Sequence, residues 1–161
     1  MVRAPGRIVI DYLEEIVAGV SLVIVVASVV WGVLTRYVTA QPAGWTVEVS
    51  AIAFAWLTFF GAAACFRYGA HPTIDMLSRT LPPAGQTAVR WFNHILIVGF
   101  LLFLIGYGFE FTYEAWDNPS PVLRLPLSVL YGPVTLGCVL MLVRYVAAAR
   151  HGPVPLAEPR A

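Results

Sequence analysis

Four stretches of the chain carry no charged residue and are dominated by apolar side chains: Ile16 to Thr35, Val49 to Phe66, Ile95 to Phe109 and Leu127 to Val143. A helix needs about 20 residues to cross a hydrocarbon core, so each run predicts one membrane span. The third is short and reaches full length only with residues from Trp91 to His94 or from Glu110 to Tyr113. Trp91 and Tyr113 then sit where interfacial anchors belong, and the helix covers roughly 91 to 113. The pattern predicts an all-α integral membrane protein with four transmembrane helices, forming one domain over residues 1 to 161.

The first run is not read as a cleaved leader, although Arg3 and Arg7 precede it. Its apolar stretch is too long, and Asp11, Glu14 and Glu15 stand between the arginines and the core. The basic residues give the orientation. Of the ten, all arginine, Arg3, Arg7, Arg67, Arg79, Arg90, Arg144, Arg150 and Arg160 flank the spans on one side, and only Arg36 and Arg124 lie on the other. The positive-inside rule therefore predicts cytoplasmic termini and a cytoplasmic loop at 67 to 90, with 36 to 48 and 110 to 126 facing outward.

Composition agrees with a membrane home, since 59% of residues are hydrophobic and 12% charged. A net charge of +1 gives no reason to propose nucleic acid as a partner. Cys65 and Cys138 both fall inside predicted spans and read as small packing residues, not as a disulfide or metal pair. The segment 151 to 161, with Pro153, Pro155 and Pro159, reads as a flexible tail.

None of the four apolar runs contains Asp, Glu, Lys, Arg or His, the groups that intramembrane ion and proton pathways normally use. Pro133 interrupts the fourth run and releases the carbonyl of Val129, which reads as a tolerated kink in preference to a binding site. Small residues recur within the runs: Ser28 with Gly32, the stretch Gly61 to Cys65, and Gly132 with Gly137. They let helices approach closely, either inside this bundle or against a larger partner.

Polar residues gather at the span ends. Trp45, Glu48, Ile52 and Trp56 fall on one helical stripe, with Glu48 in the first turn. Two readings of Glu48 stand side by side: an acid complementing the helix dipole, or a contact to a partner. In the cytoplasmic loop Thr73 can cap a short surface helix in which Asp75 and Arg79 pair, ending at Pro82 and Pro83. His71 just before it reads as an ordinary loop histidine ahead of a ligand or pH switch. Glu110 and Glu114 repel each other at the outward end of the third span, where exposure to water is favoured over a basic partner surface.

The order of these landmarks resembles the small membrane subunit of the tripartite ATP-independent periplasmic (TRAP) transporters, the DctQ-type component. The resemblance covers roughly residues 16 to 150. It rests on Arg36-Tyr37-Val38 after the first span, on Trp45 and Glu48 opening the second, and on Trp56 followed by Gly61-Ala62-Ala63. His71 with Ile74-Asp75 follows in the loop, then Pro126, Tyr131, Pro133 and Gly137 in the fourth segment. The sequence departs from the family pattern where Val49 follows Glu48 and where Pro72 follows His71.

The resemblance implies a scaffold in the bacterial inner membrane. A large multi-span permease subunit would carry substrate and sodium, and a soluble periplasmic solute-binding receptor would deliver an organic acid anion. Partners are then the large subunit, the receptor and membrane lipid, with no cofactor, no metal and no enzymatic activity. Two rival classes fit less well. A small multidrug-type exporter needs an acid inside its first helix, and residues 16 to 35 have none. A haem-anchoring redox subunit needs paired axial histidines, yet His71 and His151 lie outside the spans and His94 stands near an end.

Overall fold

The computed structural model describes residues 12–67 and 83–151. Four helices follow one another: α1 over Leu13–Tyr37, α2 over Trp45–Arg67, α3 over Pro83–Glu114 and α4 over Ser128–His151. All four are long and apolar enough to cross a membrane, in agreement with the four spans the sequence predicts. Among the described residues there is no β-strand, only an isolated bridge between Pro119 and Pro126. His71 and the Thr73 to Arg79 turn, including Asp75, lie outside the described residues.

Helix α3 departs from expectation. It begins at Pro83, eight residues before Trp91, and runs for 32 residues. Pro83 opens this element, since proline at the first helical position loses only an N–H that has no helical acceptor. The uncharged run alone could not reveal this, because the first turns are polar and carry Arg90.

The helices pack in the order α1, α2, α4, α3: α1 lies along α2, α2 along α4, and α4 along α3. No other pair packs along its length among the described residues. Among the described residues the lengthwise contacts thus run in a single row. Its core gathers around Ala63 and Phe66 of α2, Leu101 of α3, and Cys138 and Met141 of α4. Small side chains bring the central backbones together. A β-carbon on Gly137 would stand 2.6 Å from Cβ of Phe59 and 3.1 Å from its carbonyl, so only glycine permits this approach of α4 to α2.

Gly61 plays a milder part. It turns toward α1, where an added β-carbon would meet Cβ of Ala18 at 4.0 Å. Ala18, Ser21 and Ser28 form the buried edge of α1. Gly61 thus meets α1 at ordinary van der Waals distance.

The two turns at the Glu48 end are held by local hydrogen bonds. Val38 N–H continues to the Leu34 carbonyl, Thr39 Oγ1 donates to the Thr35 carbonyl at 2.7 Å, and Thr46 Oγ1 donates to the Ala43 carbonyl at 2.7 Å. Ala40, at φ 53°, reverses the chain between them.

Candidate functional site

Glu48 stands in the first turn of α2 and reaches across to the connection between α3 and α4. Its carboxylate accepts three hydrogen bonds there: from the Ser120 hydroxyl at 2.9 Å, the Val122 N–H at 2.8 Å and the Leu123 N–H at 2.9 Å. Ser120 is buried and links in turn to Leu125, donating its N–H to the Leu125 carbonyl at 2.7 Å and accepting the Leu125 N–H on Oγ at 3.3 Å. The Leu127 N–H donates to the Asn118 carbonyl at 2.9 Å, so the chain from 118 to 127 closes as a small hairpin around Pro119 and Pro126. A charged acceptor on backbone N–H groups makes stronger hydrogen bonds than a neutral one. Glu48 is thus an organiser of a loop some 70 residues away in sequence, a use that neither the dipole reading nor the foreign-contact reading had included.

Two turns further along α2, Trp56 faces the same neighbour. Its indole N–H donates to the Val129 carbonyl of α4 at 3.1 Å. That carbonyl is the one Pro133 releases, and Pro133 is fully buried. Pro133 therefore has a specific counterpart: the acceptor that proline leaves without a helical donor is supplied with one by the adjacent helix. The Trp56 ring stacks on Phe60, with centroids 5.2 Å apart. Of the stripe read from the sequence, Glu48 addresses the α3–α4 connection and Trp56 the start of α4.

The opposite end of the row holds a feature the sequence reading passed over. Arg144 Nε of α4 donates to Glu14 Oε1 of α1 at 2.7 Å, and Glu14 is 1% exposed. The second carboxylate oxygen of Glu14 is buried without a hydrogen-bond partner. Both residues flank uncharged runs, so they were counted as ends, yet the helices that form are longer than the runs and carry both charges into the packed structure. An arginine and an acid placed at the first and last spans near the same membrane face were the signal available. His94 likewise has company: its Nδ1 is hydrogen-bonded to the Tyr145 hydroxyl, joining α3 to α4.

The remaining candidates lie apart from these contacts. Arg36 is exposed in the last turn of α1, and Trp45 is 40% exposed at the start of α2. Tyr131 is 38% exposed, with its ring 6.3 Å from that of Phe111. Pro126 is half-buried in the hairpin, and Gly137 is buried against Phe59. Glu110 and Glu114 are both exposed.

Four polar contacts join one helix or loop of the row to another: Glu48 to the hairpin, Trp56 to Val129, Glu14 to Arg144, His94 to Tyr145. Together with four apolar crossings they define a multi-pass membrane protein whose polar groups fasten helices to one another. Residues 25–152 match the family described as tripartite ATP-independent periplasmic transporters, DctQ component, and the chain belongs to that family. It is a small permease subunit of the TRAP type, a multi-pass protein of the bacterial inner membrane and not an enzyme.

Its relatives include the ectoine TRAP transporter small permease protein TeaB of Halomonas elongata, 24% identical over 142 residues, covering 87% of this chain and 74% of that one. The C4-dicarboxylate TRAP transporter small permease protein DctQ of Rhodobacter capsulatus is 30% identical over 110 residues, covering 65% and 47%. The sialic acid TRAP transporter permease protein SiaT of Haemophilus influenzae is 21% identical over 140 residues, covering 86% of this chain but 23% of that longer one.

Proposed function

We propose that this chain is the accessory scaffold of a sodium-driven importer of organic acid anions, working with a large multi-span permease subunit and a soluble periplasmic receptor. The observation that carries the proposal is the use made of its polar side chains. Glu48, Trp56, Glu14 and Arg144 are each engaged in holding one helix or loop to another. A transport site at midplane needs charge or oriented backbone dipoles directed at the substrate, and these groups are directed at the scaffold. Substrate and sodium then belong to the large subunit.

The length relation to SiaT supports a large partner: the region like this chain makes up 23% of a single permease polypeptide, so there the unit works attached to a much larger remainder. The relatives are named for ectoine, C4-dicarboxylates and sialic acid, which supports a small organic solute bearing a carboxylate without selecting one. The arginine distribution supports cytoplasmic termini, with the loop of 67 to 90 on the same side carrying a short surface helix and the Glu48 end facing outward.

Copurification with a tagged copy tests the reading. A large multi-span protein should be recovered in stoichiometric amount, and vesicles holding both subunits should take up the organic acid only with a sodium gradient and the receptor. The small subunit alone should move nothing. Sodium-driven uptake by the lone chain, or recovery only as a homodimer, would remove the scaffold reading.

A further inference from the structure

The C-terminal turns of α3, with Trp116 just beyond them, carry a shallow groove of about 330 Å³ lined by Phe109, Thr112, Tyr113 and Trp116. Spacings of three and four residues put these side chains on one stripe. Among the described residues α3 packs lengthwise against α4 alone, and Phe109, Tyr113 and Trp116 are 65%, 76% and 67% exposed, so the groove opens away from the row. None of these three rings pairs with another ring among the described residues, which leaves their faces available. Thr112 Oγ1 donates to the Gly108 carbonyl at 2.6 Å, whereas the Tyr113 hydroxyl and the Trp116 indole N–H make no hydrogen bond among the described residues.

Charge beside the groove has one sign. Glu110, Glu114 and Asp117 are exposed next to it, and from Trp91 to Leu123 the chain carries no lysine or arginine. Glu110 and Glu114 repel each other at i,i+4 and meet the negative end of the helix dipole, so a cation held there relieves both. Aromatic faces attract a cation as well. The groove also lies at the end of a span, at headgroup depth, where tryptophan and tyrosine collect.

We propose that this end of α3 is a binding site for an aminophospholipid. Its ammonium pairs with Glu110 and Glu114 beside the Tyr113 and Trp116 rings, its phosphate accepts from the Tyr113 hydroxyl and the Trp116 N–H, and the first methylenes of an acyl chain lie along Phe109, deeper in the span. Each group left over by the fold then has a counterpart in one molecule. A basic protein surface is the poorer match, because it supplies the cation but no phosphate for the two donors. A lipid without an amine brings only its phosphate to three acids, and a lipid held by apolar contact alone would not distinguish headgroups.

The full chain in detergent is mixed with equal amounts of phosphatidylethanolamine and phosphatidylglycerol bearing identical acyl chains, and native mass spectrometry counts the lipid retained. Phosphatidylethanolamine should be retained over phosphatidylglycerol by about tenfold. Glu110→Gln combined with Glu114→Gln should bring the ratio close to one, and these exposed changes remove a like-charge repulsion, so the helix persists. Tyr113→Leu, which keeps apolar bulk but removes the aromatic face and the hydroxyl, should lower the ratio too. Equal retention of the two lipids by the wild type overturns the proposal, as does a preference that survives in both variants. Glycerophosphoethanolamine, the headgroup without chains, should leave the lipid in place; displacement at the lipid's own concentration overturns the proposal in favour of a water-borne amine. An unaltered headgroup preference with loss of a copurifying membrane partner overturns it in favour of a basic protein surface.

Discussion

Trp56 on α2 donates its indole N–H to the Val129 carbonyl on α4, the acceptor that Pro133 has deprived of its helical donor. One residue creates a defect in a helix and another, on a neighbouring helix, fills it. The pair fixes both the distance and the rotation of α4 relative to α2, which a purely apolar contact would leave free to slide.

Trp56→Phe should therefore lower stability in detergent by about 1 kcal/mol beyond its loss of ring area, because Val129 is left with an unmet acceptor. In a Pro133→Ala background residue 133 regains its N–H and the cost should shrink. Thermal unfolding of the wild type, the two single variants and the double variant measures the coupling, and strict additivity would show that the hydrogen bond contributes nothing.

Glu48→Gln retains the shape but places an amide NH2 among donors, so at least one of the three contacts from Ser120, Val122 and Leu123 is lost. The hairpin should open locally at a cost of about 1–3 kcal/mol, while α2 itself persists. Faster amide exchange at Val122 and Leu123, with unaltered exchange in the middle of α2, is the expected signature. Under the scaffold reading, sodium dependence of uptake should survive wherever the complex is recovered.

Arg144→Met leaves the buried carboxylate of Glu14 without its cation and should destabilise the chain by about 3 kcal/mol. The double variant Glu14→Gln with Arg144→Met removes both charges and should recover much of that loss. If the single and double variants melt alike, the pair is no more than a surface ion pair.

Gly137→Ala places a β-carbon 2.6 Å from Cβ of Phe59 and should cost about 1–3 kcal/mol through forced separation of α4 from α2. Gly61→Ala meets only Ala18 at 4.0 Å and should be tolerated. Gly61→Leu is a different test: it should first loosen α1 from α2, so loss of the large subunit would follow from damage to this chain as well as from a direct contact. Comparable melting of the two alanine variants would contradict the packing described here.

Single cysteines at Asn118 and Gly152, with Cys65 and Cys138 replaced, report the orientation. An impermeant thiol reagent applied to intact cells should label position 118 only. Equal labelling at both positions would end the assignment of cytoplasmic termini.

Much of the architecture was legible because the bilayer enforces it: uncharged runs mark spans through the cost of burying charge in hydrocarbon, and four runs became four helices. Pro133 could be read as releasing the Val129 carbonyl, since that follows from backbone geometry alone. What received the carbonyl could not, because Trp56 lies 73 residues away and nothing local couples the two. The same holds for Glu48, whose role depends on a hairpin between Pro119 and Pro126 that carries no strand-like pattern. Glu14 and Arg144 escaped for another reason: scanning for uncharged runs trims helices at the first charge, and it is just beyond that edge that α1 and α4 carry their pair. The beginning of α3 at Pro83 was obscured in the same way.

Lengthwise contacts that run in a single row leave each helix bordered along its length by at most two others among the described residues. In a closed bundle a solute can be surrounded by the protein's own side chains, whereas here the described helices leave long apolar faces turned outward. Under the proposed function, the passage for a hydrated solute belongs to the second body that this row borders. The subunit resembles a wall in this respect, able to set the position and tilt of what leans on it, and a small change in the angle at which α4 crosses α2 would be magnified along the 32 residues of α3 at its edge.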